Sequence, residues 1–345
     1  MSYLAPLNYD RFFKKVFKDS QIAKAFLEDF LDTKIESIEK LDEKHRVTDK
    51  SKIIEFDYRC KIGDKYIIID MQQWYKPDVT QRFYVYHSAN TALQLEDLQT
   101  KALPIDTLDE EELMVREIKD FRLLEPVLTL IWMVTDNLGF DNDFVSYKLL
   151  PEAVSDFIKN ETIWYKENFI YLLKERNDVL KLIENKTKDI DFLPKNKLIF
   201  MFQKNIITNM NSAKQNESGQ PTKYSRWFDF AQKTLKKDNS KEDFIEYEND
   251  VLFKEIMRRL DQSKLTDDDK QYISDQRVMW EKIGKYGRDF YEDGRKEGRL
   301  EGRLEGEKAK AVEIAKEMLR DGFPIDKIQK FTKLTRAEVE TISKL

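Results

Sequence analysis

The sequence predicts an α/β fold in which a central sheet is flanked by helices and followed by a largely helical middle and C-terminal extension. Three observations carry this. Ile53 to Gln72, IIEFDYRCKIGDKYIIIDMQ, is two β-rich runs joined by a Gly-Asp turn signal, the pattern of a hairpin. Val127 to Val134 is a continuous apolar run whose length and branched residues suit a buried strand added to that hairpin's sheet. Much of the remaining chain carries apolar residues at helical spacing.

In chain order, Asn8 or Asp10 caps a helix through RFFKKVFKD with Phe13, Val16 and Phe17 on one face. A second helix, Ser20 to Leu31, has Ile22, Phe26, Leu27, Phe30 and Leu31 as its stripe. Ile35 to Leu41 reads as an edge strand and Lys44 to Lys52 as a loop. After the hairpin, Pro77 ends the strand because it cannot donate to a ladder. Asp78 or Thr80 then opens a helix on which Arg82, Tyr86 and Ala89 share a face. Leu103 to Asp120 reads as an acidic loop. Glu152 to Phe202 reads as helical, with Trp164, Tyr165, Phe169, Ile170, Leu172 and Leu173 packed inside. Residues 211–223, polar with a Gly and a Pro, read as a flexible loop or boundary. Helical periodicity resumes through Trp227, Phe228, Phe230 and Ala231, then Phe244, Val251, Leu252, Ile256 and Leu260.

From Gly294 the chain repeats every four residues, GRKE, GRLE, GRLE, GEKA, placing glycines on a slowly drifting helical stripe. The tail predicts three short helices. Gly322 closes the first, Pro324 opens the second, and Thr335 caps the third with Glu338 completing a capping box. The domain division is therefore 1–150, 151–285 and 286–345.

Lys and Arg number 60 against 65 Asp and Glu, a net charge of −5. That argues against a protein that coats nucleic acid non-specifically by phosphate neutralisation, yet allows a local basic groove. No apolar run approaches the roughly 20 residues of a membrane span. The N-terminus has no apolar core of a secretory signal, so the expected location is cytoplasmic. The single cysteine, Cys60, excludes an internal disulfide framework and falls on the hairpin's apolar face. His45 and His87 have no cysteine partners, which argues against structural zinc.

The hairpin makes the sharpest chemical statement. With the loop on Gly63-Asp64, Asp57 faces Asp70 and Glu55 faces Gln72, while Ile54, Phe56, Tyr58, Ile67, Ile69 and Met71 take the other face. Directly opposed carboxylates, with Cβ atoms roughly 4.5–5.5 Å apart, repel each other. A divalent cation or a shared proton compensates such a pair; the other reading is an acidic pair on a solvated face. Arg82, just past the acids, is placed either to hold a phosphate bidentately or to pair with a carboxylate. Lys14, Lys15 and Lys18 form a small basic patch.

Taken together these pieces resemble the PD-(D/E)XK nuclease family transposases, which include the recombination-promoting nucleases of bacteria. NYDRFFKKVF resembles the family's opening through Asp10, Phe13, Lys14 and Phe17, and the hairpin its acid, turn, then acid-x-Gln. RFYVYHS supplies Arg82, Tyr86 and Ser88, EPVLTLIWMV the next strand, and the glycine repeat and final helices the tail. The resemblance covers roughly the first 150 residues and the last 60.

It implies a restriction-endonuclease-like core that hydrolyses DNA phosphodiesters with Mg²⁺ or Mn²⁺, in recombination or mobile elements. Asp57 and Asp70 are the implied metal ligands, with the Met71 backbone carbonyl as a third oxygen. Gln72 is implied as catalytic, standing where the wider superfamily carries Lys, and Asp70 stands where Glu is commoner. Arg82, Tyr86 and Lys14 fall to substrate binding, and Glu55 and Asp10 are auxiliary acids. The reading from a different class is a catalytically degenerate fold that binds DNA or protein and forms a homo-oligomer through its tail.

Overall fold

The computed structural model describes residues 2–46, 53–74, 76–105, 114–164, 169–183, 192–216 and 222–342. Two units are distinguished, Met1–Lys270 and Gln271–Leu345.

The first unit opens with helices α1 (Asp10–Phe17) and α2 (Ser20–Leu31). Short strands β1 (Glu39–Lys40), β2 (Lys44–Arg46) and β3 (Ile53–Glu55) lead into the hairpin β4 (Tyr58–Ile62) and β5 (Lys65–Gln72). Helix α3 (Val79–Leu93) follows, then β6 (Thr100–Ile105), β7 (Met114–Lys119), β8 (Val127–Met133) and β9 (Phe144–Lys148). Helices α4 (Glu152–Lys159), α5 (Glu161–Trp164), α6 (Phe169–Ile183) and α7 (Phe192–Lys195) precede β10 (Lys197–Phe202). Helices α8 (Gln203–Asn216), α9 (Ser225–Thr234) and α10 (Val251–Leu260) complete the unit.

The central sheet has six strands in the order β1-β4-β5-β8-β10-β9. It is mixed: β5, β8 and β10 run parallel, while β1, β4 and β9 are antiparallel to their neighbours. Every residue of β8 is buried, and so is β5 after Lys65, because helices cover both faces. On one face, Val79 and Phe83 of α3 pack on Ile131, Met133, Phe200 and Phe202. On the other, Trp132 meets Phe13 of α1, Phe26 of α2 and Phe228 of α9. The β8 alternation thus serves two layers from one strand.

The hairpin register is the one its turn dictates. Ile62 pairs with Lys65 and Tyr58 with Ile69, around Gly63 at φ +53°. The ladder then stops. Phe56 N–H donates to the Glu43 carbonyl at 2.9 Å, and β3 pairs with β2, so Glu55 faces Lys44 and not Gln72. The chain turns aside at the acids because strand pairing with residues 44–46 replaces continued pairing with β5.

Several local expectations are corrected. Neither Asn8 nor Asp10 caps α1, whose N-cap is Tyr9; Asn8 is buried and donates to Gln203 Oε1 at 2.6 Å. The edge strand in 35–41 is limited to Glu39–Lys40, and Lys44–Arg46 is a strand, where a loop was expected. The acidic stretch after residue 100 contains the antiparallel pair β6 and β7, while 106–113 lie outside the described residues. Residues 197–202 form a sheet strand within the segment read as helical, because KLIFMF is a short branched and aromatic run that the sheet centre buries. Trp164, Phe169, Ile170 and Leu173 are exposed, since α6 packs mainly on short α4; Tyr165 lies outside the described residues. Val251 is exposed at the start of α10, and residues 211–216 continue α8, where a loop was expected.

Residues beyond 150 stay in the first unit because they build its core. β10 supplies a sheet strand, and Asn239 ties the N-terminus in by accepting from Leu4 N–H at 2.7 Å.

The second unit contains most of α11 (Asp267–Arg320), then α12 (Ile325–Thr332) and α13 (Arg336–Ile342). The first tail helix is thus the end of one 54-residue helix rather than a short one, its backbone helical through the glycine repeat. Gly322 ends it at φ +80°. Thr335 N–H donates to Glu338 Oε2 at 2.8 Å and Glu338 N–H to Thr335 Oγ1 at 3.3 Å, the reciprocal capping box. Ala315, Ile328, Leu334 and Val339 form a small core. Among the described residues no helix is long and apolar enough to cross a membrane.

Candidate active site

The site lies where β4 and β5 part. Asp57 N–H points to Asp70 Oδ2 at 3.4 Å, and Met71 N–H donates to Asp57 Oδ2 at 2.8 Å. The Asp57 carboxylate therefore takes the Met71 N–H that the Phe56 carbonyl would have taken had the ladder continued. The two acids are 6% and 5% exposed, too little for a solvated acidic face.

Their electrostatics follow from that burial. Burial pushes the Asp57 carboxyl well above its ordinary range, helped by the charges of Asp70 and Asp10 and opposed by Lys14 and the Met71 N–H. Burial raises Asp70 to about 7, against the pull of Arg82 and Lys14. Burial thus favours the neutral form of both carboxyls, a perturbation that clusters at functional sites.

The period of two along β5 puts Asp70 and Gln72 on the side where Ile131 and Met133, their partners in β8, meet α3. There Arg82 donates through Nη2 to Gln72 Oε1, and Gln72 Nε2 donates to the Trp74 carbonyl. Both ends of the Gln72 amide are thus engaged, and its oxygen holds the guanidinium. Arg82 lies 5.9 Å from the Tyr86 ring centroid, while Tyr86 packs edge-on against Phe56 and Phe83. Burial and the Asp70 charge raise the Tyr86 hydroxyl, which keeps it protonated.

From the other layer, α1 sends in Lys14. Its Nζ lies 3.2 Å from Asp10 Oδ1, 3.0 Å from Glu55 Oε1 and 3.3 Å from Asp57 Oδ1. Burial alone would lower the ammonium's pKa, but the Asp57 charge and the bonds to Glu55 and Asp10 raise it overall. The Glu55 carboxyl is lowered, chiefly by its bond to Lys14.

All nine residues singled out from the sequence line one cleft of about 270 Å³. Three more line it that the sequence reading did not single out: Gln73, Trp74 and Lys76. Gln73 directly follows the acid-x-Gln run, and its alternation away from Gln72 hid it. Arg82 Nε and Gln73 Nε2 are buried donors with no hydrogen-bond partner among the described residues. Two unused donors beside carboxylates suit an anionic ligand oxygen.

The donor set suits a hard divalent cation, since it is all oxygen. Among the described residues no group of three or more His, Cys, Asp or Glu side chains is arranged to hold a metal. A cation here would rest on the two carboxylates with a backbone carbonyl. Cys60 and His87 stand apart from this chemistry. Burial pushes the Cys60 thiol up to about 12, and His87 is buried with Nδ1 3.0 Å from Thr129 Oγ1.

The tail carries a family signature. Residues 308–344 match the model of the C-terminal HTH domain of the Rpn/YhgA-like nuclease family. The Rpn/YhgA-like match falls on the end of α11 with α12 and α13, the three helices that share the small core. It agrees with the resemblance read from the sequence and relates the chain to a nuclease family through that domain. Helix-turn-helix domains are a DNA-binding class. No curated protein and no solved structure matches the chain.

Proposed function

We propose that the protein is a divalent-metal-dependent DNA endonuclease acting in recombination or mobile elements. The observation that carries the reading is the buried, opposed pair Asp57 and Asp70 at the end of β5, beside an arginine held by Gln72. Asp57, Asp70 and the Met71 carbonyl would hold Mg²⁺ or Mn²⁺. When bound, such an ion lowers the pKa of a coordinated water and neutralises charge on the phosphate and leaving oxygen.

The chain's own groups do the rest. Gln72 carries no charge and has both amide ends in use, so it positions Arg82 and does not take the part of a lysine. Arg82 offers its unused Nε to a phosphate oxygen, and Gln73 Nε2 offers a second bond from the same wall. Tyr86 stays protonated and supports Arg82 through its ring face. The C-terminal helix-turn-helix domain supplies a second contact to DNA, in a cytoplasmic setting.

Plasmid nicking with Mg²⁺ or Mn²⁺ tests this, with loss in Asp57→Ala and Asp70→Ala expected. A purified protein inert with both ions on single- and double-stranded DNA would end the reading. A degenerate DNA- or protein-binding module is the second reading. It is favoured by the amide at position 72, engaged at both ends, and by the two-carboxylate donor set. It predicts DNA binding that Asp57→Ala leaves intact and no cleavage by the unsubstituted chain.

A further inference from the structure

The cleft that gathers Asp57 and Asp70 already contains a cation of the chain's own. An ammonium has three N–H donors and accepts nothing. Lys14 Nζ has three carboxylate oxygens within 3.3 Å, from Asp10, Glu55 and Asp57. Its side chain is 29% exposed and that of Asp57 7%, so the charge is drawn inward to the most buried of its three acids. The contact is made to Asp57 Oδ1, while Oδ2 is taken by the Met71 N–H. Oδ1 is therefore the Asp57 oxygen that a divalent ion would need. An ammonium 3.3 Å from it and a divalent ion bound to it disfavour one another, because like charges at that range repel.

Lys14 keeps two partners on leaving Asp57. Asp10 lies one helical turn before it on α1, and Glu55 lies on β3, held also by Lys44 Nζ at 3.4 Å. These two acids form a second berth that does not include either proposed metal ligand. We propose that Lys14 is the resident counter-cation of this cleft, paired with Asp57 until a divalent ion takes its place there and leaves it on Asp10 and Glu55 alone. The exchange keeps a positive charge beside the metal in a site whose position 72 is neutral. Lys14 then acts as a positioning residue that tunes metal occupancy and faces the incoming phosphate. The inference rests on the metal-dependent reading only in requiring that a divalent ion bind at Asp57; it does not require cleavage.

The test is titration calorimetry of the full chain with Mn²⁺ in the absence of DNA. Lys14→Met should bind Mn²⁺ more tightly, on the order of tenfold, since an ion pair this buried no longer competes. Lys14→Arg, which keeps the charge, should not. Lys44→Met removes a charge from Glu55 without touching Asp57, and should stay within about twofold of the unsubstituted chain. Unchanged or weaker binding by Lys14→Met overturns the exchange, and so does an equal gain in Lys44→Met, which would show a diffuse charge effect. Should Lys14→Met not fold, as judged by its thermal melt, the ¹⁵Nζ resonance of Lys14 in the unsubstituted chain is followed during Mg²⁺ titration. A resonance that shifts with saturation supports displacement, and one that does not move overturns it. An unsubstituted chain that cleaves while Lys14→Met binds metal no better overturns this inference alone. A chain that never cleaves while Lys14→Met binds more tightly overturns only the nuclease reading.

Discussion

The backbone N–H of Asp57 points at the carboxylate of Asp70 across the end of the β4–β5 ladder, at 3.4 Å. Two acids that should repel are thus tied to each other's strands, and the strand separation that would relieve them is blocked. Burial makes it costly to ionise both acids, and a ligand of opposite charge would offset that cost.

Asp70→Asn should therefore raise stability and abolish activity together. In the metal-free chain at pH 8 it removes one of two buried charges while keeping an oxygen for the Asp57 N–H, and a gain of about 1–3 kcal/mol is expected. Urea denaturation in EDTA measures it. Because the folded Asp70 is raised to about 7, the folded state binds more protons than the unfolded state between about pH 4 and 7. The metal-free chain therefore loses stability as pH rises through that window. The variant should show a flatter dependence, and a variant less stable at pH 8 would refute the account.

His87 gives the opposite slope. Burial pushes its pKa down to about 4, while an unfolded histidine takes a proton near 6.5. Between those values the unfolded state binds more protons, so stability is lost as pH falls. The His87 contribution of about 2 kcal/mol should disappear between pH 7 and pH 5, so His87→Gln should gain about that much relative to the unsubstituted chain over the same interval, whatever Asp70 adds to both. Chemical denaturation at the two pH values, in both proteins, decides it.

Arg82→Lys is not a conservative change here. Lysine keeps a charge but cannot bond Gln72 and present a second donor in one plane. DNA affinity, measured by fluorescence anisotropy in EDTA, should fall by about 1 kcal/mol or more. Equal affinity would place Arg82 outside the DNA contact.

The tail should respond to its caps. Gly322 sits at φ +80° with nothing within 4 Å of an added Cβ, so Gly322→Ala is strained by backbone conformation alone, by about 1 kcal/mol. Thr335→Ala should cost a similar amount by removing the capping box. Faster amide hydrogen exchange across residues 325–342 is the readout, with exchange in β8 unchanged.

Much of this was legible in the chain. The turn at Gly63-Asp64 fixed the hairpin register, because a two-residue turn leaves only one pairing, and so put Asp57 against Asp70. The run from Val127 announced a strand buried on both faces. Gly322, Pro324, Thr335 and Glu338 announced the helix ends of the tail, because capping is local chemistry. Strands β2, β6, β7, β9 and β10 were not legible, since a strand needs a partner to satisfy its backbone and partner choice is non-local.

The site divides the same way. The sequence by itself determined which acids oppose each other, and that Gln72 and Arg82 follow them, because alternation and helical period are properties of a few consecutive residues. Only the tertiary structure decided that β3 turns away at Phe56, taking Glu55 from Gln72 and giving it to Lys14 and Lys44. Only the tertiary structure, too, brought Lys14 from a helix on the opposite layer into contact with Asp57. Contacts between segments distant in sequence depend on how layers stack around Trp132, and no local pattern encodes that geometry.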